Sequence, residues 1–443
     1  MLQRKISSVI KAHLQSASDK ILLVDGARQV GKTYIIRYVG REIFANFIEL
    51  NMIEDSLGDR LFANTRTVDD FYLQVSMLAG DRMKEKKNTL IFLDEIQAYP
   101  HLLTLLKFLQ QDNRFTYIAS GSLLGVTLSE TTSIPMGSIR KIRMYPLDFE
   151  EFLYANGMNE FAVSGLKKKF EQLESLDESL HNKMMDLFRK YLLVGGLPEA
   201  VNSYLEEKNI QSVREIQREI HSYYGTDASK YDSERRLKIR RIYDLIPSNM
   251  ENKKKRVVAQ NIENQKGKRF ADYQDEFDYL VGAGIALQVR AVSTPVFPLL
   301  ESSGKNLLKL YLNDVGLLSC ILYENNIRAI LDDEKSVNLG SVYESVVASE
   351  LAAHGYRLFY YDNRSKGEVD YLIDDYDSLS VVPIEVKSGK DYTVYSALST
   401  FVENEDYHIK KAVVLSNAGK IEVKGKIIYL PIYFIMFLTG MMC

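Results

Sequence analysis

The sequence predicts an α/β protein built from a P-loop NTPase parallel sheet sandwiched by helices, a helical lid, a winged helix and a restriction-endonuclease-like α/β domain. Three observations lead there. Gly26-Ala27-Arg28-Gln29-Val30-Gly31-Lys32-Thr33 has the spacing of a phosphate-binding loop, between the apolar run Ile21–Val24 and a helix-compatible stretch from Tyr34. A second short apolar run, Leu90–Leu93, ends in Asp94-Glu95. Far downstream, Glu344, Asp370 and Glu385-Val386-Lys387 arrive in order within one compact α/β segment.

The strand–loop–helix context is what phosphate binding needs. Backbone N–H groups of residues 26–33 and the N-terminus of the following helix, with Tyr34 in its first turn, would face the phosphates, where the helix dipole favours negative charge. Lys32 would reach the β- and γ-phosphates of ATP, and Thr33 would hold Mg²⁺.

Asp94 stands at the C-terminal end of a buried parallel strand. There it would hold the Mg²⁺ through water while Glu95 polarises the attacking water. An acidic cap on the next helix is the competing reading of Asp94. Phe115–Ala119 reads as another strand, and Ser120 at its end would sense the γ-phosphate. Asn51 ends the strand-like run Phe47–Leu50 and would pair with Glu95 to hold it back, or else serve as an ordinary turn asparagine. The whole arrangement puts Asp94 on the strand next to the loop's own.

At 443 residues the chain needs about two to four domains. A net charge of −3 gives no overall bias toward nucleic acid or membrane. Two cysteines, Cys320 and Cys443, far apart in sequence, argue against a disulfide framework or a cysteine-based metal site and suit a reducing, cytoplasmic setting. The N-terminus lacks the apolar core of a signal peptide. The apolar stretch Ile427–Leu438 is shorter than the roughly 20 residues of a span. Pro431 interrupts it, so it reads as a buried strand plus a short docked helix, with no membrane partner.

Residues 1–150 form the ATPase core, with strands expected at 21–25, 46–50, 90–94, 115–120 and 139–144. Residues 151–230 read as lid helices, broken at Leu193-Val-Gly-Gly196-Leu-Pro198; Lys167-Lys-Lys169 lies on a solvated face. Residues 231–300 are rich in Lys and Arg, including Arg235, Arg236, Lys238, Lys253, Lys254 and Lys255. Three short helices fit at 233–246, 256–264 and 269–282, with a hairpin from Ile285 to Pro298, which together make a winged helix. Such a fold contacts DNA through its third helix and flanking cations. Asp272, Asp275, Glu276 and Asp278 on that helix would repel phosphate, so a protein–protein spacer stays open.

Residues 301–443 form the last unit. An acid on one strand followed by Glu-x-Lys on the next is the core of a metal-dependent phosphodiesterase site. Asp370 and Glu385 would hold Mg²⁺, Lys387 would position the attacking water, and Glu344 would complete the shell. Oxygen ligands of this kind suit Mg²⁺ or Mn²⁺ rather than zinc.

These pieces resemble a widespread prokaryotic family of ATP-binding proteins that join an AAA-type ATPase core to a C-terminal domain of unknown function. Residues 26–33, Ile91–Gln97, Ser120-Gly-Ser122, Tyr145–Phe152, Gly195–Glu199, Gly367–Asp370 and Glu385–Lys387 carry the resemblance. It implies ATP binding, and a C-terminal part that looks like a winged helix followed by a nuclease-like fold related to Holliday-junction resolvases. Members often show a Gly-Arg pair before the Pro-Leu element, where this chain has Gly137-Ser-Ile-Arg140. Both Arg140 and Arg143 are therefore candidates for an arginine lent to a neighbouring subunit in a homo-oligomer, and a structural place on a strand edge is open for each. The expected activity is Mg²⁺-dependent ATP hydrolysis that drives a DNA-associated module. The alternatives are an ATP-gated nuclease, or a non-cutting signalling ATPase whose tail binds a protein or nucleic acid.

Overall fold

The computed structural model describes residues 2–16, 18–122, 137–228, 235–252, 255–303, 307–332, 339–363, 367–388 and 396–439. Two compact units emerge. The first takes Gln3–Tyr145 and Asp278–Ile285; the second takes Pro146–Phe277 and Ala286–Cys443.

In the first unit β1 (Ile21–Asp25), β2 (Asn46–Asn51), β3 (Thr89–Asp94), β4 (Thr116–Gly121) and β5 (Ile139–Arg143) make one sheet, ordered β2-β3-β4-β1-β5. Each neighbouring pair is parallel. β1 and β3 are buried along their whole length, as continuous apolar strands of a covered parallel sheet are. The five strands fall within about one residue of expectation, but their spatial order corrects one: β4 lies between β1 and β3, so Asp94 is two strands from the loop strand. Sequence order does not set the order in a parallel sheet, because each crossover can skip a place. Ile91 and Leu93 of β3 pack with Phe71, Val75, Leu102 and Leu106 of the flanking helices. Pro100 opens the helix Pro100–Asp112, and Asn113 closes it at φ +59°.

The second unit gathers the helices Phe149–Ala155, Glu160–Glu171, Glu178–Val194, Pro198–Glu207 and Ile210–Ala228, which include the expected lid. Asp148 and Glu151 form a reciprocal capping box at the start of the first. The break at 193–198 is real: one helix ends at Val194 and the next begins at Pro198. Gly195 has φ +70°, and a Cβ there would lie 2.2 Å from Asp314 Oδ1. The Gly196 N–H donates to Asp314 Oδ2 at 2.6 Å.

The three short helices are Arg236–Glu251, Ala259–Glu263 and Gln274–Gly282; Lys253 and Lys254 lie outside the described residues. The hairpin expected between Ile285 and Pro298 does not form. β6 (Ala286–Val292) pairs antiparallel with β7 (Leu308–Leu312) and parallel with β8 (Phe359–Asn363). Pro295 and Pro298 lack the N–H a ladder needs, whereas the apolar run Leu308–Leu312 supplies a buried partner.

β6 to β8 thus share one eight-stranded mixed sheet with β9 (Gly367–Asp375), β10 (Ser380–Val386), β11 (Ala412–Ser416), β12 (Glu422–Lys424) and β13 (Ile427–Pro431). The order is β12-β13-β11-β10-β9-β8-β6-β7. The helix Gly340–Ala353 is buried on nearly every side, including Ser341, Glu344 and Glu350. The apolar C-terminal run is β13 followed by the buried 3₁₀ turn Ile432–Phe437. Among the described residues no helix is long and apolar enough to cross a membrane.

Candidate nucleotide site

The loop after β1 bends where glycine permits. Gly26 has φ +151°, and a Cβ there would stand 2.3 Å from the Met144 carbonyl oxygen. Gly31, at φ +95°, is the N-cap of the helix Lys32–Ile43. Ala27 and Val30 are buried, Arg28 is half-buried, and Gln29 is exposed at φ +62°. Tyr34, in the first helical turn, is 57% exposed.

Lys32 is 4% exposed and donates to the carbonyl oxygens of Gly26 at 2.9 Å and Ala27 at 2.8 Å. Burial lowers its pKa, against the pull of Glu95, Asp25 and Asp94. Asp94 links loop and sheet. It accepts from Thr33 Oγ1 at 2.8 Å through Oδ2 and from the Ser120 hydroxyl through Oδ1. Burial pushes the Asp94 carboxyl up, while the two hydroxyls pull it down. The three residues therefore meet although their sequence positions span 87 residues.

Glu95 takes left-handed backbone angles, φ +53° and ψ +46°. Gln97 Nε2 donates to its Oε2, and Ser122 Oγ lies 3.2 Å from the same oxygen. Arg28 Nε reaches Ser122 Oγ at 3.3 Å. Asn51 stands opposite Asp94 in the β2–β3 register, yet its Oδ1 accepts from the N–H groups of Ile53 and Glu54 and caps a helix. The grip on Glu95 expected of Asn51 is supplied by Gln97 and Ser122.

The two candidate arginines separate clearly. Arg143 pairs in register with Asp25, at the loop end of the sheet; Arg140 pairs with Leu22, three residues back, and is exposed. Arg143 Nη2 lies 3.0 Å from Asp25 Oδ2 and 2.9 Å from the Gly282 carbonyl; its Nη1 reaches the Val281 carbonyl at 3.2 Å. Lys141 Nζ is also 3.0 Å from Asp25 Oδ2. Arg4, which carries no sequence motif, is nearly buried and donates to the carbonyls of Val30 at 3.0 Å and Tyr145 at 2.7 Å.

The second unit also brings its expected residues together. Glu344 accepts from Lys255 and, at 3.2 Å, from the Tyr311 hydroxyl. Asp370 Oδ2 accepts from the Val386 N–H at 2.8 Å. Glu385 lies 2.5 Å from Lys387 Nζ, and Lys309, 1% exposed, lies 2.7 Å from Glu368. Burial and the neighbouring Asp370 push the Glu385 carboxyl up to about 8, against the pull of Lys387. Sequence reasoning missed Lys309 altogether and counted Lys255 among the cations flanking the expected winged helix. Among the described residues no three His, Cys, Asp or Glu side chains stand in a metal-holding arrangement. Glu344 and Glu385 each pair with a lysine, Asp370 accepts from a backbone N–H, and the second Glu385 oxygen is buried with no hydrogen-bond partner; with no three acids converging, this set does not fit a divalent cation as it stands.

The residues of the candidate site fit a nucleotide phosphate and a hard cation: left-handed glycine at the bend, loop and helix-start amides, a buried lysine, and oxygen donors from Thr33 and Asp94. Residues 18–153 match a family model described as an AAA domain. That part of the chain is thus similar to an AAA domain in sequence, and its parallel sheet carries the loop of a phosphate-binding fold at one strand end. Residues 185–328 and 339–435 match two models described as domains of unknown function, DUF8612 and DUF4143.

The chain is 23% identical over 194 residues to an uncharacterized protein of Methanocaldococcus jannaschii, covering 44% of this chain and 38% of that protein's length. Solved structures with a similar trace include the Walker-type ATPase of Pyrococcus abyssi, with TM-score 0.43, 13% identity, and 72% of this chain and 95% of that one covered. The Aeropyrum pernix ORC2 protein follows with TM-score 0.35, 13% identity and coverage of 75% and 93%. The Aeropyrum pernix ORC1 protein in complex with DNA gives TM-score 0.30, 14% identity and coverage of 74% and 92%.

Proposed function

We propose that this chain is a Mg²⁺-dependent ATPase whose nucleotide state is coupled to its C-terminal half. The observation that carries the reading is Asp94 holding the Thr33 hydroxyl at 2.8 Å at the root of the phosphate loop. Residues 26–34 would wrap the phosphates, Lys32 would exchange its two carbonyl acceptors for phosphate oxygens, and Thr33 with Asp94 would hold the cation. Mg²⁺, when bound, neutralises charge developing on the transferred phosphoryl group. Ser120 orients Asp94 through its other oxygen, and Glu95, gripped by Gln97 and Ser122, is the candidate base for water. Exposed Arg140 remains the candidate to serve a neighbouring copy in a homo-oligomer. Steady-state phosphate release by the full chain tests the assignment. Lys32→Ala and Glu95→Gln are each expected to lower turnover by at least about a hundredfold. Undiminished turnover in Lys32→Ala refutes it.

A second reading concerns the tail. The clustering of Glu344, Asp370, Glu385 and Lys387 favours a nuclease-like module, with the helices and β6–β7 strands of residues 236–312 as a winged-helix-like, DNA-associated element. The lysine pairing described above opposes active cutting and favours a tail that binds a protein or nucleic acid. Cleavage of branched or linear DNA with Mg²⁺ or Mn²⁺, lost in Asp370→Ala and Lys387→Ala, supports the nuclease. DNA left intact by micromolar wild type supports the non-cutting tail.

A further inference from the structure

The first unit contains one segment from the C-terminal half of the sequence, Asp278–Ile285. Its flanks on both sides belong to the second unit. The segment meets the phosphate loop at two points. Gly284, at φ +76°, approaches so closely that a Cβ would lie 3.1 Å from the Ala27 nitrogen. Arg143 spans the other. One guanidinium holds Asp25, the residue just before the loop, and the carbonyls of Val281 and Gly282, at the end of the helix Gln274–Gly282.

The Val281 carbonyl also accepts the Gly284 N–H at 3.1 Å, while the Gly282 carbonyl stands at the helix end, where no partner within the helix is left. A cation there also complements the negative end of the helix dipole. The planar fork of arginine lets one side chain satisfy a carboxylate and two carbonyls together, which a lysine point charge does not.

The same loop residues hold Lys32. Its ammonium donates to the Gly26 and Ala27 carbonyls and keeps a third N–H, so a phosphate that draws on the ammonium also pulls on those two peptides. Gly26 is pressed against the Met144 carbonyl, and Ala27 against Gly284. Any adjustment of the Gly26–Ala27 peptides is therefore felt by residues 143–144 and by the segment.

We infer that Arg143 is a positioning residue that couples nucleotide at the phosphate loop to the order of residues 278–285, and so to the chain entering the second unit on either side. This rests on the ATPase reading above. The coupling is intrachain and does not require Arg143 to serve a neighbouring subunit.

Hydrogen–deuterium exchange of the full chain, with and without Mg²⁺ and a slowly hydrolysed ATP analogue, tests it. In wild type, both 26–33 and 278–285 are expected to exchange at least about fivefold more slowly with nucleotide, the low end of ordinary coupling. In Arg143→Gln the loop keeps its protection and the segment loses its response. Arg143→Lys restores the charge beside Asp25 without the fork and is expected to behave like Arg143→Gln. Protection of 26–33 with no response at 278–285 in wild type overturns the coupling and leaves the ATPase reading standing. An unchanged response at 278–285 in both variants removes Arg143 from it. Absence of protection at 26–33 in wild type sinks the ATPase reading itself, and the coupling with it.

Discussion

Thr33, in the first turn of the helix after the loop, and Asp94, at the end of β3, meet through a 2.8 Å hydrogen bond although β4 lies between β3 and the loop's strand β1. The contact closes because the loop turns back over the sheet's C-terminal edge and Ser120, at the end of β4, orients the carboxylate from its other side. Among the described residues two hydroxyls hold the Asp94 carboxylate, and a hard cation is the natural third partner for such an oxygen set.

Asp94 pays for this place in stability (a raised pKa in the folded state marks a carboxylate whose charge folding disfavours). The sign is the reverse of a salt-bridged aspartate. Stability from this group is full below its unfolded pKa and is lost as pH rises through the folded one. Asp94→Asn is therefore expected to raise the melting midpoint at neutral pH by about 1–3 °C while lowering Mg²⁺-dependent turnover by at least about a hundredfold. Calorimetric melting beside phosphate release checks both; a lowered midpoint contradicts the charge argument.

Gly26→Ala tests the bend. A Cβ would meet the Met144 carbonyl at 2.3 Å in a backbone region that side chains rarely adopt. A loss of about 2 kcal/mol or more is expected in denaturant unfolding, with nucleotide binding lost as well. A variant as stable as wild type means the loop has another path.

The acid–lysine cluster predicts a pH dependence. Glu385, moved from 4.5 to about 8 by burial and Asp370, favours the folded state while it stays protonated. That contribution is full below 4.5 and is lost as pH rises toward about 8. In Glu385→Gln the loss is expected to flatten across that window. Denaturant midpoints of the second unit's transition, followed across the same range, decide it; parallel wild-type and variant curves contradict the assignment.

Much of the first unit was legible because its signals are local. Continuous apolar runs marked β1 and β3, and the glycine–lysine spacing marked the bend. What was hidden is non-local. Nothing between Asp94 and Phe115 says that β4 inserts beside β1, and nothing in Arg4 says that its guanidinium will hold Val30 and Tyr145. Asn51 has two readings from its place at the end of the run Phe47–Leu50, and a helix cap, itself a local signal, claims its oxygen. In the second unit the acids Glu344, Asp370 and Glu385 were found in order. Lys309 was not, because it reaches the cluster from β7, and that strand was hidden when β6 was expected to close a hairpin before Pro298.

Binding heat is the most direct measurement of the central claim. Mg²⁺-ATP titrated into the full chain is expected to give a saturable single-site isotherm, abolished in Lys32→Ala and weakened at least about tenfold in Thr33→Val, a loss of about 1.4 kcal/mol. No heat in the wild type, or an isotherm unchanged by Lys32→Ala, contradicts a triphosphate gripped by residues 26–33.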